Sequence, residues 1–268
     1  MPEERVRLDA YLISEGFTTG RDKAKALIMT GDVYVNNQRE LKAGRVIKTG
    51  DTVEVRRNNI LPFVSRGGNK LSKAIEVFGI GILGKVCMDV GSSTGGFTDC
   101  MLQNGAEKVY AVDVGYGQLA YKLRIDSRVT VLERTNFRYV TQKEISESID
   151  FASVDVSFIS LKLLLPVLYG LLAPEGEAVL LIKPQFEAGR ERVGKKGVVR
   201  DAAVQEDVIR SIMTAAIGEG FFPVGLDYSP IKGPEGNIEF LLYICKQARE
   251  AVDLKPSSVV AAAWEQLV

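Results

Sequence analysis

The sequence contains no histidine and only three cysteines among its 268 residues. Histidine is the side chain that most readily changes charge near neutral pH, and it is also the commonest metal ligand. Cys87, Cys100 and Cys245 are far apart and form no C-x-x-C pair, so the sequence offers neither a zinc site nor a disulfide framework. We therefore predict no metal site and three reduced, buried thiols, and any proton transfer must use a residue other than histidine.

The sequence also lacks an excess of charge and a long apolar run. Lysine plus arginine and aspartate plus glutamate each total 34, so the overall charge gives no evidence for a nucleic-acid partner. The longest apolar stretch, residues 159–182, is interrupted by charged residues and prolines, which leaves fewer than the ~20 consecutive apolar residues of a membrane span. The charged start MPEERVRLDA has no apolar core of a secretory signal. We expect a cytosolic globular protein that does not contact a membrane.

The pattern of the chain changes across residues 61–69, a polar, turn-rich segment that contains Pro62. Before this linker, residues 1–60 show helical spacing and then short alternating runs around the pair Asn36-Asn37, which predicts two helices followed by a hairpin and a further strand. After it, residues 70–268 alternate apolar strands with helices. This alternation predicts a second, α/β domain with a parallel sheet of seven strands covered on both faces.

Local clusters of positive charge occur in two places. Arg21, Lys23 and Lys25 lie in the opening turn of the second predicted helix, and the glycine-punctuated loop EAGRERVGKKGVVRD follows an apolar strand. Each cluster could be a solvated surface, or it could contact the phosphates of a nucleic acid. The residues alone leave both interpretations open.

A glycine-rich turn follows the first apolar strand of the second domain. Its string Asp89-x-Gly91-x-x-x-Gly95-Gly96-Phe97 does not match the G-x-G-x-x-G fingerprint of dinucleotide enzymes. An acidic residue before the first glycine disfavours a pyrophosphate and suits an ammonium group, such as that of S-adenosylmethionine. Asp113 ends the next strand, where a carboxylate can accept both ribose hydroxyls of an adenosine. We predict an S-adenosylmethionine site formed by Asp89, Gly91, Ser92, Gly95, Gly96, Phe97, Asp113, Asn136 and Asp155.

Four charged residues occur where predicted elements begin or end. Asp155 and Lys183 end the fourth and fifth predicted strands, Lys70 stands at the start of a helix, and Glu239 opens the last strand. This order of lysine, aspartate, lysine and glutamate resembles the catalytic tetrad of the FtsJ-like ribose 2′-O-methyltransferases. The resemblance implies a Rossmann-like, seven-stranded sheet that uses S-adenosylmethionine, with these four residues as the catalytic tetrad.

Nearly the whole chain is similar to the TlyA family, or hemolysin A-like proteins, in the motifs SRGGNKL, DVGSSTGGFT, DVGYGQLA, LERTN, DVSFISL, KPQFE and GNIEF. This similarity implies 2′-O-methylation of a cytidine in ribosomal RNA. The first domain, from RLDAYL to GDTVEV, resembles the S-four-type RNA-binding domain, so ribosomal RNA or a ribosomal subunit is the expected partner. We predict RNA contacts from Arg5, Arg7, Arg21, Lys23, Lys25, Arg66, Arg190, Lys195 and Lys196.

The implied chemistry assigns a role to each member of the tetrad. A ribose hydroxyl is a poor nucleophile, so its attack on a methylsulfonium needs in-line positioning and a group that takes or shares its proton. We assign Lys183 as that base, Asp155 and Lys70 as groups that orient the hydroxyl and the lysine, and Glu239 as their supporting partner. Lys183 could instead be a cation that stabilises the developing alkoxide.

Three other functions agree less well with the sequence. Methylation of a base nitrogen usually requires an Asn/Asp-Pro-Pro-aromatic string after the fourth strand, and this chain has Asp155-Val-Ser-Phe there. A membrane-active hemolysin would need a spanning segment or a signal, which the sequence does not predict. A non-catalytic RNA-binding protein would not be expected to retain all four residues of the tetrad.

Overall fold

The structure is a computed structural model that describes residues 6–29, 31–55, 62–249 and 252–268. It divides into two compact units, Met1–Pro62 and Phe63–Val268. The division falls near the start of the segment predicted as a linker. Phe63 is buried in a core of the second unit, and the Val64 amide donates a 2.8 Å hydrogen bond to Asp99 of that unit, so the chain from residue 63 onward packs with the second unit.

In the described part of the first unit, residues 6–29 and 31–55, there are two short helices and five short strands. A central strand pairs antiparallel with strands on both sides, and the Asn36-Asn37 turn has positive φ at both residues, as a tight hairpin turn requires. The helices bury Leu8, Leu12 and Ile28 against this small sheet. The elements are β1 (Val6–Arg7), α1 (Leu8–Ser14), α2 (Arg21–Met29), β2 (Val33–Val35), β3 (Gln38–Arg39), β4 (Val46–Ile47) and β5 (Val53–Val55).

The second unit alternates strands and helices as the sequence predicts. Its strands are β6 (Val86–Val90), β7 (Lys108–Val112), β8 (Val129–Leu132), β9 (Ile149–Val154), β10 (Leu172–Ile182), β11 (Phe222–Tyr228) and β12 (Phe240–Cys245). Its α-helices are α3 (Gly68–Phe78), α4 (Gly96–Gln103), α5 (Tyr121–Arg124), α6 (Leu165–Leu171), α7 (Pro184–Glu187), α8 (Ala202–Gly218) and α9 (Pro256–Leu267).

The seven strands form one sheet in the order β11-β12-β10-β9-β6-β7-β8. The count of seven is confirmed, but the expectation of an entirely parallel sheet is wrong at β12, which pairs antiparallel with both β10 and β11. The reason is the connection: β11 and β12 are joined by a short loop without a helix, whereas a parallel neighbour needs a longer crossover.

Both faces of this sheet are buried. Along β6, Met88 and Val90 belong to one hydrophobic core, whereas Cys87 belongs to the other. This alternation explains why the strands read as continuous apolar runs in the sequence, since neither face meets water. Polar side chains of the sheet can therefore meet solvent at the ends of its strands.

The structure describes all three cysteines. All three cysteines are free and buried, and burial raises the pKa of the Cys87 and Cys100 thiols to about 12, so these thiols are not nucleophiles near neutral pH. Within the described ranges, no helix is long and apolar enough to cross a bilayer, and no cluster of acidic or cysteine side chains has the arrangement of a metal site.

Candidate active site

The sheet brings three of the four tetrad residues to one edge. Asp155 directly follows β9 and Lys183 directly follows β10, and these two strands are parallel neighbours. Glu239 directly precedes β12, whose first residue, Phe240, pairs with Ile182 at the end of β10. Because β12 runs antiparallel to β10, it begins where β10 ends. Glu239, just before the start of β12, therefore lies at the same edge as Asp155 and Lys183, just after the ends of their strands. Lys70 completes the group from the first turn of α3.

The four side chains form a row of alternating charge. Lys183 Nζ lies 2.5 Å from Asp155 Oδ1, and Lys70 Nζ lies 3.9 Å from Asp155 Oδ2. Lys70 Nζ also donates a buried 2.6 Å hydrogen bond to Glu239 Oε2. The side chains of Asp155 and Lys183 are 20% and 11% exposed, whereas that of Glu239 is only 1% exposed. A reactant can therefore reach the Lys183–Asp155 end of the row. Glu239 is buried at the other end, where it accepts the hydrogen bond from Lys70.

Three further residues surround this end of the row and were not singled out as site residues by the sequence. Lys183 Nζ donates to Ser157 Oγ at 3.1 Å. Phe158 is 91% exposed, has a φ of +64°, and its ring centroid lies 5.0 Å from that of Phe186. The sequence could have indicated Ser157, Phe158 and Phe186 as site residues, because they lie in the motifs DVSFISL and KPQFE that contain Asp155 and Lys183.

The glycine-rich turn after β6 touches the segment that carries Asp155. Gly91 has a φ of +86°, and a Cβ at this position would lie 2.2 Å from the Asp155 carbonyl oxygen. The Asp155 amide donates to the Val90 carbonyl at 2.9 Å, and the Gly91 amide donates to the Val112 carbonyl at 2.8 Å. Only glycine combines this backbone conformation with so close an approach. The turn thus joins the ends of β6, β7 and β9.

Two adjoining cavities open beside the turn, of about 390 Å³ and about 130 Å³. They share Gly91, Ser93 and Asp155, so they adjoin at Asp155 of the tetrad, and we refer to the two cavities together as the groove. The larger cavity is also lined by Val90, Val112, Asp113, Val114, Gln118, Thr135, Asn136, Phe137, Val156, Ser157, Phe158, Ile159 and Leu164. The smaller cavity is also lined by Ser65, Gly67, Asp89, Ser92, Thr94, Gly96 and Phe97.

The predicted cofactor residues divide between the two cavities. Asp113 and Asn136 line the larger one, whereas Asp89, Ser92, Gly96 and Phe97 line the smaller one. Gly95 is not among the lining residues; its φ is +94°, and a Cβ there would lie 2.3 Å from Leu123 Cδ1. Gly95 therefore lets α5 pack against the turn.

Asp113 lines the larger cavity and is held in a fixed orientation by two backbone amides. Its Oδ2 accepts from the Ser93 amide at 2.8 Å, and its Oδ1 accepts from the Gly115 amide at 2.6 Å. A carboxylate oxygen has more than one acceptor position. Each oxygen can therefore accept a further hydroxyl from a molecule in the cavity.

Asp89 is a buried carboxyl group that lines the smaller cavity. Its Oδ2 accepts from the Thr98 amide at 2.9 Å and the Thr98 hydroxyl at 2.7 Å, and its Oδ1 accepts from the Ser153 hydroxyl at 3.3 Å. Burial raises the pKa of Asp89 to about 7, against the lowering effect of the Thr98 hydrogen bonds and with a further upward contribution from the Asp155 carboxylate. A ligand cation in the smaller cavity would favour the ionised form of this carboxyl group.

The predicted RNA contacts lie in both units. Arg21, Lys23 and Lys25 are exposed on α2, and Arg66, Arg190, Lys195 and Lys196 are exposed in the second unit. The Arg7 guanidinium is already paired with Asp9 at 2.9 Å. Arg5 lies outside the described residues.

Comparison with known proteins gives consistent matches along the chain. Residues 63–246 match the model of the FtsJ-like methyltransferase family. The protein named "Putative rRNA methyltransferase YqxC" of Bacillus subtilis is 52% identical over 91% of this chain and 87% of its own length. The protein named 16S/23S rRNA (cytidine-2′-O)-methyltransferase TlyA of Mycobacterium tuberculosis is 40% identical over 94% of each chain.

A solved structure extends the likeness to the coordinates. The "Putative hemolysin from Streptococcus thermophilus" is 45% identical, covers 99% of this chain and 97% of its own, and superposes with a TM-score of 0.77. The family match spans the sheet, the groove and all four tetrad positions. The chain therefore belongs to the TlyA family of FtsJ-like methyltransferases.

Proposed function

We propose that this protein transfers a methyl group from S-adenosylmethionine to the 2′-hydroxyl of a cytidine ribose in ribosomal RNA. The observation that carries the proposal is the convergence of Lys70, Asp155, Lys183 and Glu239 beside a groove of cofactor size. The names of the B. subtilis and M. tuberculosis relatives support ribosomal RNA as the substrate class. Such a substrate would place the protein in the cytoplasm.

The groove suits S-adenosylmethionine in shape and charge. Asp113 offers two oriented oxygens in the larger cavity, where Asn136 is also present, and these residues would hold the adenosine part. Asp89, Ser92 and Gly96 line the smaller cavity and would hold the amino-acid part. Gly91 lines both cavities, and its lack of a Cβ allows the turn to lie against the Asp155 backbone. Bound in this way, the cofactor would supply a methyl group carried by a positively charged sulfur.

Asp155 is placed to orient the ribose hydroxyl. Lys183 Nζ lies 2.5 Å from its Oδ1 and Lys70 Nζ lies 3.9 Å from its Oδ2. The carboxylate is therefore held by two cations, and its residue lines both cavities, where a substrate hydroxyl would donate to it. Lys70 lies between Asp155 and Glu239 and so fixes the carboxylate from the opposite side.

Lys183 would complete the reaction in one of two ways. As a neutral amine it would take the hydroxyl proton and become an ammonium, while the ribose oxygen would bond to the methyl carbon and the bond from that carbon to sulfur would break, leaving a neutral thioether. As an ammonium it donates to the developing alkoxide, and the proton leaves to solvent. We retain the first role as the assignment, and the variants described in the Discussion separate the two.

The function is tested by labelled methyl transfer. Wild-type protein, S-adenosylmethionine labelled in its methyl group and ribosomal subunits from a strain that lacks this methylation should yield labelled RNA. Digestion to nucleosides should place the label in 2′-O-methylcytidine. Label in a base-methylated nucleoside, or no label in either subunit, would reject the proposal.

We assign RNA capture to the first unit, on the basis of exposed Arg21 and Lys25 on α2 and its resemblance to an RNA-binding domain. Replacing both residues with alanine should weaken binding to ribosomal subunits and should lower the slope of log affinity against log salt by about 1 for each lost phosphate contact. Cofactor affinity should not change. Filter binding across a salt series measures the slope.

The matched control for this experiment replaces Lys42 and Lys48, two exposed lysines of the same unit outside α2. It removes the same charge, so it should leave the salt slope within experimental error of the wild type if α2 contacts the RNA. Equal slopes for the two double variants would count against α2 as the binding surface.

The Asp89 carboxyl predicts a pH dependence of cofactor binding. Its pKa is about 7, and a cofactor ammonium favours the ionised form, so affinity should fall as pH falls through 7. Between pH 8 and pH 6 the ionised fraction drops by about tenfold, and the dissociation constant should rise by about tenfold with it. Calorimetric titration at both values measures this ratio.

Asp89→Asn is the control for the pH effect, since asparagine keeps the shape of the side chain and does not titrate. This variant should bind S-adenosylmethionine weakly at both pH values, with a ratio within about twofold. A tenfold ratio that persists in Asp89→Asn would show that another group is responsible.

A further inference from the structure

The two segments that carry the accessible catalytic pair are joined by a second contact. We define the Asp155 loop as residues 155–160, between β9 and the 3₁₀ helix Leu161–Leu163. The other segment is α7, which begins directly after Lys183 and ends at Glu187. The Glu187 carboxylate reaches across from α7 to the far end of the Asp155 loop: Oε2 accepts from the Ser160 hydroxyl at 2.7 Å, and Oε1 accepts from the Leu161 amide at 2.8 Å.

These bonds close a small ring of contacts around the reactive groups. At one end of the loop, Lys183 Nζ lies 2.5 Å from Asp155 Oδ1. At the other end, Glu187 holds Ser160 and Leu161. The ring has only a few residues on each side, so the position of either end constrains the other.

The middle of the Asp155 loop needs such support. Phe158 has a φ of +64° and is 91% exposed, a conformation that costs free energy in a non-glycine residue and persists only where surrounding contacts fix it. Its ring contacts Phe186 of α7 at a centroid distance of 5.0 Å. Ser157 precedes it and accepts from Lys183 Nζ at 3.1 Å. Glu187 therefore fixes the loop at Ser160 and Leu161, directly after the segment that contains the strained Phe158.

We propose that Glu187 is a positioning residue whose carboxylate holds the Asp155 loop against α7, so that Asp155 and Ser157 remain within reach of Lys183. Both Glu187 oxygens accept hydrogen bonds from the far end of the loop, at Ser160 and Leu161, so we assign its effect to the loop and not to the reactants. This inference rests on the proposed methyl transfer. A displacement of catalytic groups by about 1 Å can cost about 100-fold in rate.

The test compares Glu187→Ala, Glu187→Gln and Ser160→Ala in steady-state methyl transfer to unmodified ribosomal subunits. Glu187→Ala should lower kcat by about tenfold or more, with KM for cofactor and RNA within about twofold of the wild type. Glu187→Gln should recover kcat to within about threefold, because its amide oxygen accepts from Leu161 and its NH₂ group donates to the Ser160 oxygen. Ser160→Ala removes one of the two bonds and should give an intermediate loss.

The control is Glu144→Ala. Glu144 also accepts from a backbone amide and a hydroxyl, both of Thr141, at 2.9 Å, and it lies in a surface turn away from the groove. Its loss should leave kcat unchanged. Wild-type kcat in Glu187→Ala, an equal loss in Glu187→Ala and Glu187→Gln, or a loss confined to KM would each overturn the proposal. Ser160→Ala and Glu187→Gln decide the question if Glu187→Ala does not fold.

Amide hydrogen exchange separates this inference from the proposed function. In Glu187→Ala, residues 156–161 should exchange faster than in the wild type, whereas Glu144→Ala should not alter them. If the wild type transfers no methyl group, the proposed function fails, and the exchange data still show whether Glu187 holds the loop. Unchanged exchange in Glu187→Ala would overturn the positioning role even in an active enzyme.

Discussion

Replacing Lys183 with alanine is expected to lower the rate of methyl transfer by at least about 100-fold, the lower range for loss of a general base. This loss corresponds to about 2.7 kcal/mol of transition-state stabilisation. The reason is local, since Lys183 Nζ contacts both Asp155 and Ser157 beside the groove, at 2.5 Å and 3.1 Å. Single-turnover transfer to ribosomal subunits measures the chemical step, and the affinities for cofactor and RNA should stay within a few-fold of the wild type.

Lys183→Arg separates the two roles of this lysine. Arginine keeps a cation at the site and does not lose its proton in proteins, so it can stabilise an alkoxide but cannot act as a base. If Lys183 is the base, Lys183→Arg should be as slow as Lys183→Ala. Recovery of most of the rate by arginine would instead support the electrostatic role.

Lys122→Ala is the matched control for Lys183→Ala. Lys122 forms a 3.0 Å ion pair with Asp99 in the same unit, and it does not line the groove. Its removal deletes a lysine–aspartate pair whose lysine is more exposed, 59% against 11% for Lys183, and should leave the rate unchanged. Undiminished turnover of Lys183→Ala, with Lys122→Ala also active, would exclude Lys183 from the reaction.

The sequence could identify the tetrad because each member lies next to a boundary that the pattern of residues marks. Asp155 and Lys183 end apolar runs, and parallel strands place such ends together. Glu239 precedes an apolar run, so spacing alone would put it at the opposite edge of a fully parallel sheet. Its arrival beside Lys183 depends on the reversed direction of β12, which the structure shows in the pairing of Phe240 with Ile182. The assignment of Glu239 to the tetrad therefore depended on the resemblance to known enzymes and not on its spacing.

Other parts of the site depend on contacts between distant parts of the chain, which periodicity does not encode. Asp89 was predicted to face a ligand, and the structure adds hydrogen bonds from Thr98 and Ser153 together with a raised pKa. These partners come from α4 and β9, and no local pattern in the sequence relates them to Asp89. Glu187 is similar, since its bonds to Ser160 and Leu161 connect segments separated by a whole helix and strand.

Gly91→Ala is expected to abolish measurable cofactor binding and to reduce methyl transfer by more than about 100-fold, because it displaces the backbone that carries Asp155. The added methyl group would lie 2.2 Å from the Asp155 carbonyl oxygen and 2.9 Å from its carbonyl carbon. Neither atom belongs to a flexible side chain, so the turn after β6 and the end of β9 must separate. Together with the strain of a positive φ at alanine, this should lower the free energy of unfolding by about 3 kcal/mol, as measured by denaturant titration.

Gly79→Ala distinguishes the steric effect from the backbone strain. Gly79 ends α3 with a φ of +64°, and a Cβ there would meet no atom within 4 Å. This variant should therefore show only the cost of a left-handed alanine, about 1 kcal/mol, with normal cofactor affinity and normal rate. If Gly91→Ala lost no more stability than Gly79→Ala and still bound S-adenosylmethionine, the turn after β6 could move away from Asp155 freely. The close contact between them would then have no part in forming the site.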